Sequence, residues 1–152
     1  MKIVVKKWTN FKRFPEFLRQ DVVAALNFAA ELLAGEVRET TSVGATGNAR
    51  RETRSESAFI RGNQYVGVVG NAVPYINALE EGTDAHWVPI AHLLYWAKRK
   101  LGDENIAYPV QKAIAKHGTK GQYMFKTAEK KMKNQIKGMI KSAVKSAERK
   151  IR

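Results

Sequence analysis

Beyond Pro15, the apolar residues Leu18, Val22, Leu26, Ala29 and Leu33 recur at intervals of three and four, the pattern of a helix with one buried face. It predicts a helix over residues 15–38. Pro15 suits a first turn, where its missing amide hydrogen has no partner to lose, and Gly35 offers an early stop that Glu36, Val37 and Arg38 can overrun. From residue 39 to 54 the chain turns polar, rich in Thr, Gly and Ser, with Gly44 and Gly47 and no apolar period. An exposed loop is expected there, made mildly basic by Arg50, Arg51 and Arg54. Residues 57–61 and 64–69 then read as two short strands joined at Gly62-Asn63, and residues 1–5 as a further strand.

Further along, residues 74–81 read as a short helix stopped by Gly82. Residues 86–101 contain a second helix, with Leu93, Leu94, Trp96, Ala97 and Leu101 on its apolar side, and residues 109–116 a third, ending at Gly118. The last element is the most regular. Met124, Ala128, Met132, Ile136, Ile140, Ala143, Ala147 and Ile151 form one stripe, and Lys126, Lys130, Lys133, Lys137, Lys141 and Lys145 another on the far side. A continuous helix over residues 124–151 is about 42 Å long. That exceeds the needs of a domain this small, so its end is expected to project or to pack on another chain.

These elements predict an α+β fold in which a long N-terminal helix lies on a small antiparallel sheet, followed by short helices and a long basic amphipathic C-terminal helix. The 152 residues, 44% apolar with 14 aromatics, suffice for one core. Leu18, Val22, Leu26, Val66, Val68, Leu94 and Trp96 are expected to share it. Residues 1–123 form the expected α+β domain and residues 124–152 its helical extension. No apolar run reaches the roughly 18 residues of a membrane span, and the start of the chain lacks the apolar stretch and cleavage site of a signal peptide, which points to a soluble intracellular protein.

The net charge of +13 sits unevenly. Residues 1–111 hold 14 Lys and Arg against 12 Asp and Glu, whereas residues 112–152 hold 13 against 2. The excess therefore belongs to the C-terminal helix. Its Lys face admits three readings: a solvated or protein-facing surface, a phosphate-binding surface, or the polar side of a membrane-surface helix. The near absence of Arg and aromatics argues against base recognition, and the lack of Trp against membrane insertion.

Chemistry has little to work with. Zero Cys removes disulfides, thiol nucleophiles and thiolate metal sites. Glu80, Glu81, Asp84, His86 and His92 lie within thirteen residues, yet adjacent glutamates point about 100° apart on a helix and the two histidines are six residues apart, so no shared ligand face arises. His117 fits a helix-end position beside Gly118. None of Ser42, Ser55 or Ser57 sits in a nucleophile elbow, and Gly62, Gly67 and Gly70 lack the spacing of a dinucleotide loop. No catalytic residue, cofactor or metal is expected.

The order of several short motifs resembles the tailed-phage head-tail joining family, whose members are labelled tail-completion, neck or minor tail components and belong to the gene-product-ten-like group of long-tailed phages. The resemblance runs over residues 10–150. It rests on Thr46-Gly47-Asn48-Ala49-Arg50, a version of the family's Thr-Gly-x-Leu-Arg loop that lacks the Leu, and on Tyr65-Val66-Gly67-Val68, Val73-Pro74-Tyr75-Ile76 and Leu79-Glu80-Glu81-Gly82-Thr83. His86-Trp87-Val88-Pro89-Ile90, the stretch from Leu94 to Gly102, Ile114 to Thr119, and Tyr123-Met124-Phe125 extend it.

What the resemblance implies is a non-catalytic virion subunit that assembles in the host cytoplasm into a ring between capsid connector and tail proteins. Rings of identical subunits use head-to-tail contacts that close on rotation. The contacts expected on this basis are Gly47, Arg50, Arg51, Arg54, Glu80, Glu81, Gly82 and Thr83, with Met132, Ile136 and Ile140 on the terminal helix. Weak DNA contact through Lys126, Lys130, Lys133, Lys137, Lys141 and Lys145 is the accompanying possibility, a nucleic-acid-binding protein the alternative reading, and no membrane partner is expected.

Overall fold

The computed structural model describes residues 2–5, 16–61 and 64–150, with side chains from residue 19 onward. Twelve elements follow in order: β1 (Lys2–Val5), α1 (Glu16–Thr40), α2 (Asn48–Arg51), β2 (Thr53–Arg61), β3 (Gln64–Asn71), α3 (Ile76–Glu81), β4 (Gly82–Thr83), α4 (Ile90–Leu101), a 3-10 turn (Glu104–Ile106), α5 (Ala107–His117), β5 (Thr119–Lys120) and α6 (Met124–Arg149). The fold is α+β, as the pattern of elements predicts. The hairpin turn at 62–63, Pro15, Ile151 and the Leu18 side chain lie outside the described residues.

One unit comprises residues 1–40, 53–71 and 125–152. Its sheet has the order β1-β3-β2, with β3 antiparallel to both neighbours: Lys2 pairs with Val68, Ile60 with Tyr65. The β2–β3 register shifts between Glu56 and Phe59, a bulge in β2. Alternation along β3 explains how α1 seats on the sheet. Gly67 points at α1, since a Cβ placed there meets Leu26 Cγ at 3.1 Å and Ala30 Cβ at 3.7 Å, so Tyr65 and Val69, both buried, share that face. Ser55 Oγ donates to Glu31 Oε2 at 2.6 Å, and Ala58 N–H donates to Asn27 Oδ1 at 2.6 Å, which ties β2 to α1 just before the bulge and within it.

α6 runs antiparallel beside α1, because Lys131 pairs with Glu36 and Lys150 with Asp21. The two helices have 25 and 26 residues, so each is about 38 Å long and can cover the other. Val22, Leu26, Ala29, Ala30, Leu33, Ala34 and Val37 of α1 are buried, as are Ala128, Met132, Ile136, Ile140, Val144 and Ala147 of α6. On α1 the buried positions span an arc of about 140° at 100° per residue, wide enough for the sheet on one flank and α6 on the other.

This corrects the expectation of a projecting terminal helix: a partner of matching length was already present in the chain. It also corrects the placement of Met132, Ile136 and Ile140 as contacts with other subunits, since each is at most 8% exposed within its own chain.

The second unit comprises residues 41–52 and 72–124. The expected loop at 39–54 is much shorter, because α1 continues to Thr40, α2 forms, and β2 begins at Thr53. Its anchors are polar: the Thr41 hydroxyl reaches Met124 Sδ at 3.1 Å, and Ser42 Oγ donates to Gln122 Oε1 at 2.8 Å. Thr41 and Ala49 are buried. Leu94 and Trp96, expected in the same core as Leu26, belong to this unit and are half-buried, while Val66 is buried and Val68 half-buried in the first. Two clusters therefore replace the single expected core, and α6 from Phe125 on belongs with α1 rather than standing as an extension.

Candidate functional site

The motif Leu79 to Thr83 folds into a backbone clasp. Gly82 pairs with Lys120 and Thr83 with Thr119, the two threonine hydroxyls lie 2.9 Å apart, and Gln122 and Tyr123 N–H groups donate to the Leu79 and Glu80 carbonyls at 2.8 and 3.0 Å. Glycine is required at the crossing. Gly82 and Gly118 have φ of 84° and 69°, and a Cβ on Gly118 would lie 1.9 Å from the Thr83 carbonyl oxygen. Gly82 and Thr83 are half-buried and Glu80 is 9% exposed, so among Glu80 to Thr83 Glu81 alone is exposed.

Gly47, at φ 70°, sets the left-handed turn into α2, and its carbonyl accepts from Arg51 N–H at 3.1 Å. Arg51 also donates to Asn48 Oδ1. Arg50 is half-buried and Arg51 exposed. Arg54, exposed, lies on β2 in the other unit.

The acid and imidazole groups do not gather. His86 Nδ1 lies 2.8 Å from the Asp84 carbonyl oxygen, His92 is exposed on α4, and among the described residues no three His, Asp or Glu side chains form a metal-ligating group. One carboxyl is perturbed: Glu31 is held below the usual glutamate range, first by the Ser55 hydroxyl and then by Arg38. The first contact joins α1 to β2, and the second lies within α1.

The features most suited to interaction are large exposed apolar side chains, and spacing alone did not mark them. Trp87 is 68% exposed although its segment is fixed on both sides, by His86 N–H on the Ile114 carbonyl and by Gln111 Nε2 on the Val88 carbonyl at 2.7 Å. Tyr95 stands on the outer side of α4, its hydroxyl accepting from Arg99, and Tyr108 stands one turn before Gln111 on α5. Both are about half exposed. In the first unit, Phe28 is 60% exposed, and Phe59 and Ile60 are exposed on β2 just beyond the bulge. Among the described residues β2 is an edge strand of the three-stranded sheet.

A sequence signal existed for part of this. Tyr95 falls among Ala91, His92, Lys98 and Arg99, an aromatic at a polar helix position.

The chain matches no family model, no curated protein and no solved structure.

Proposed function

We propose that this chain is a structural, ring-forming subunit of a tailed-phage virion, joining head and tail without catalysis. The observation that carries the reading is that each unit exposes large apolar side chains of its own. Trp87, Tyr95 and Tyr108 are exposed on the second unit, and Phe28 on α1 with Phe59 and Ile60 on β2 are exposed on the first. Trp and Tyr are the residues enriched at the energetic centres of interfaces. A head-to-tail ring needs two unlike surfaces per subunit, each used once, whereas a two-fold dimer needs one self-complementary patch. The order of the family-like motifs along the chain supports the same reading.

In this arrangement the β2 border of one copy packs on the Trp87 surface of the next. The test is complementation. Trp87→Ala and Ile60→Lys, being exposed, leave the fold intact, and each variant alone is expected to remain monomeric by native mass spectrometry. Mixed, they retain one intact junction and form a heterodimer that cannot grow. Rings formed by either variant alone would refute the assignment of surfaces.

A further inference from the structure

Along α6, two rows of exposed side chains run side by side at four-residue spacing: Lys133, Lys137, Lys141 and Lys145, and next to them Asn134, Gly138, Ser142 and Ser146. At the same spacing Lys130 continues the second row by one turn, and Glu129 stands where the first row would continue. On the flank facing α1 the same helix matches its cations to carboxylates, Lys131 to Glu36, while Lys150 just beyond it meets Asp21. On the outer face it does not: among the described residues, Lys130, Lys133, Lys137, Lys141 and Lys145 have no carboxylate within ion-pair distance. Like charges at i and i+4 repel, so the ladder weakens its own helix. Gly138, with open space where a Cβ would stand, weakens it again and lowers the surface between the lysines.

We infer that this face binds the phosphate backbone of double-stranded DNA without reading its sequence. A duplex carries one negative charge per about 1.7 Å of axis, enough to face every lysine over the roughly 22 Å from Lys130 to Lys145. Ser and Asn side chains of the second row add the short-range donors that phosphate oxygens accept. No arginine lies in either row to make the paired contact with a guanine edge. A membrane surface is the poorer fit, because the apolar stripe that would insert, from Met132 to Val144, is buried inside the chain. Binding of this kind does not depend on whether the subunits close into a ring.

Fluorescence anisotropy of a labelled 30-base-pair duplex, titrated with the full chain from 50 to 200 mM NaCl, tests it. Five phosphate contacts give a log–log slope of about −4.5, a loss of about 500-fold in affinity over that range. Replacing Lys130, Lys133, Lys137, Lys141 and Lys145 by Gln removes most of both the affinity and the slope, with helix content unchanged by circular dichroism. Replacing Lys98, Arg99 and Lys100 on α4 by Gln leaves binding as it was. Equal binding by the two variants, absence of binding at 50 mM NaCl, or stronger retention of the chain by anionic vesicles than by the duplex would overturn the proposal.

Discussion

Replacing Leu26 tests how α1 is seated, because its side chain is fully buried and points at a strand position without a side chain, Gly67. Leu26→Ala removes a buried isobutyl group that sheet and helix cannot fully close around, at a cost of about 2–5 kcal/mol. Gly67→Ala perturbs the same spot from the other side: the new Cβ would lie 3.1 Å from Leu26 Cγ and 3.3 Å from Leu26 Cδ1. Overpacking of this kind costs about 1–3 kcal/mol, partly offset by the roughly 0.5–1 kcal/mol that Ala gains over Gly in a strand.

The informative species is the double variant. With Leu26 truncated, the methyl introduced by Gly67→Ala enters vacated volume instead of colliding, so the two penalties should fall short of their sum by at least about 1 kcal/mol. Urea unfolding of the four proteins, followed by far-ultraviolet circular dichroism, gives the coupling. Additivity within about 0.5 kcal/mol, or a Leu26→Ala cost below about 1 kcal/mol, would refute direct packing of Leu26 on Gly67.

Ile136→Asp with Ile140→Asp places two unpaired charges in the α1–α6 seam and should abolish folding, read as loss of helical signal at 25 °C, whereas Lys133, Lys137 and Lys141→Gln should fold with a thermal midpoint at or above wild type. Gly118→Ala forces a methyl into the Thr83 carbonyl at a left-handed φ and should cost at least about 2 kcal/mol; hydrogen exchange should rise first in residues 79–86 and 114–123, and unchanged protection there would contradict the clasp. Because the Glu31 carboxyl is held below its ordinary range, its contribution is full near neutral pH and fades as pH falls through that range. The stability difference between wild type and Glu31→Gln should thus be measurable at pH 7, begin to shrink as pH falls through the ordinary glutamate range, and be lost only below the lowered value of the folded state.

The parts of the fold carried by apolar periodicity were legible in advance. The stripe from Val22 to Leu33 marked α1 to within two residues at its C-terminal end, and the stripe from Ala128 to Ala147 marked α6. Segments held by polar contacts were not. Thr41, Ser42 and Gln122 anchor the loop with hydroxyl and amide groups that carry no periodic signal, so a region rich in Thr and Ser resembled an unanchored one.

Reading α6 alone hid its partner, since only tertiary placement brings α1, with its acidic rim of Asp21 and Glu36, alongside it. Glu80 to Thr83 stood out as a motif, but their role is backbone pairing, which exposes little side chain. Exposure of Trp87 depends on ties from Ile114 and Gln111, residues 27 and 24 positions away, beyond the reach of local spacing.

Native mass spectrometry of the wild-type chain over a range of micromolar concentrations tests the central claim most directly. A head-to-tail subunit with two unlike surfaces should give one closed oligomer of fixed copy number above dimer, with intermediates that disappear as concentration rises. A chain that stays monomeric throughout, or that stops at a two-fold dimer, would contradict the account.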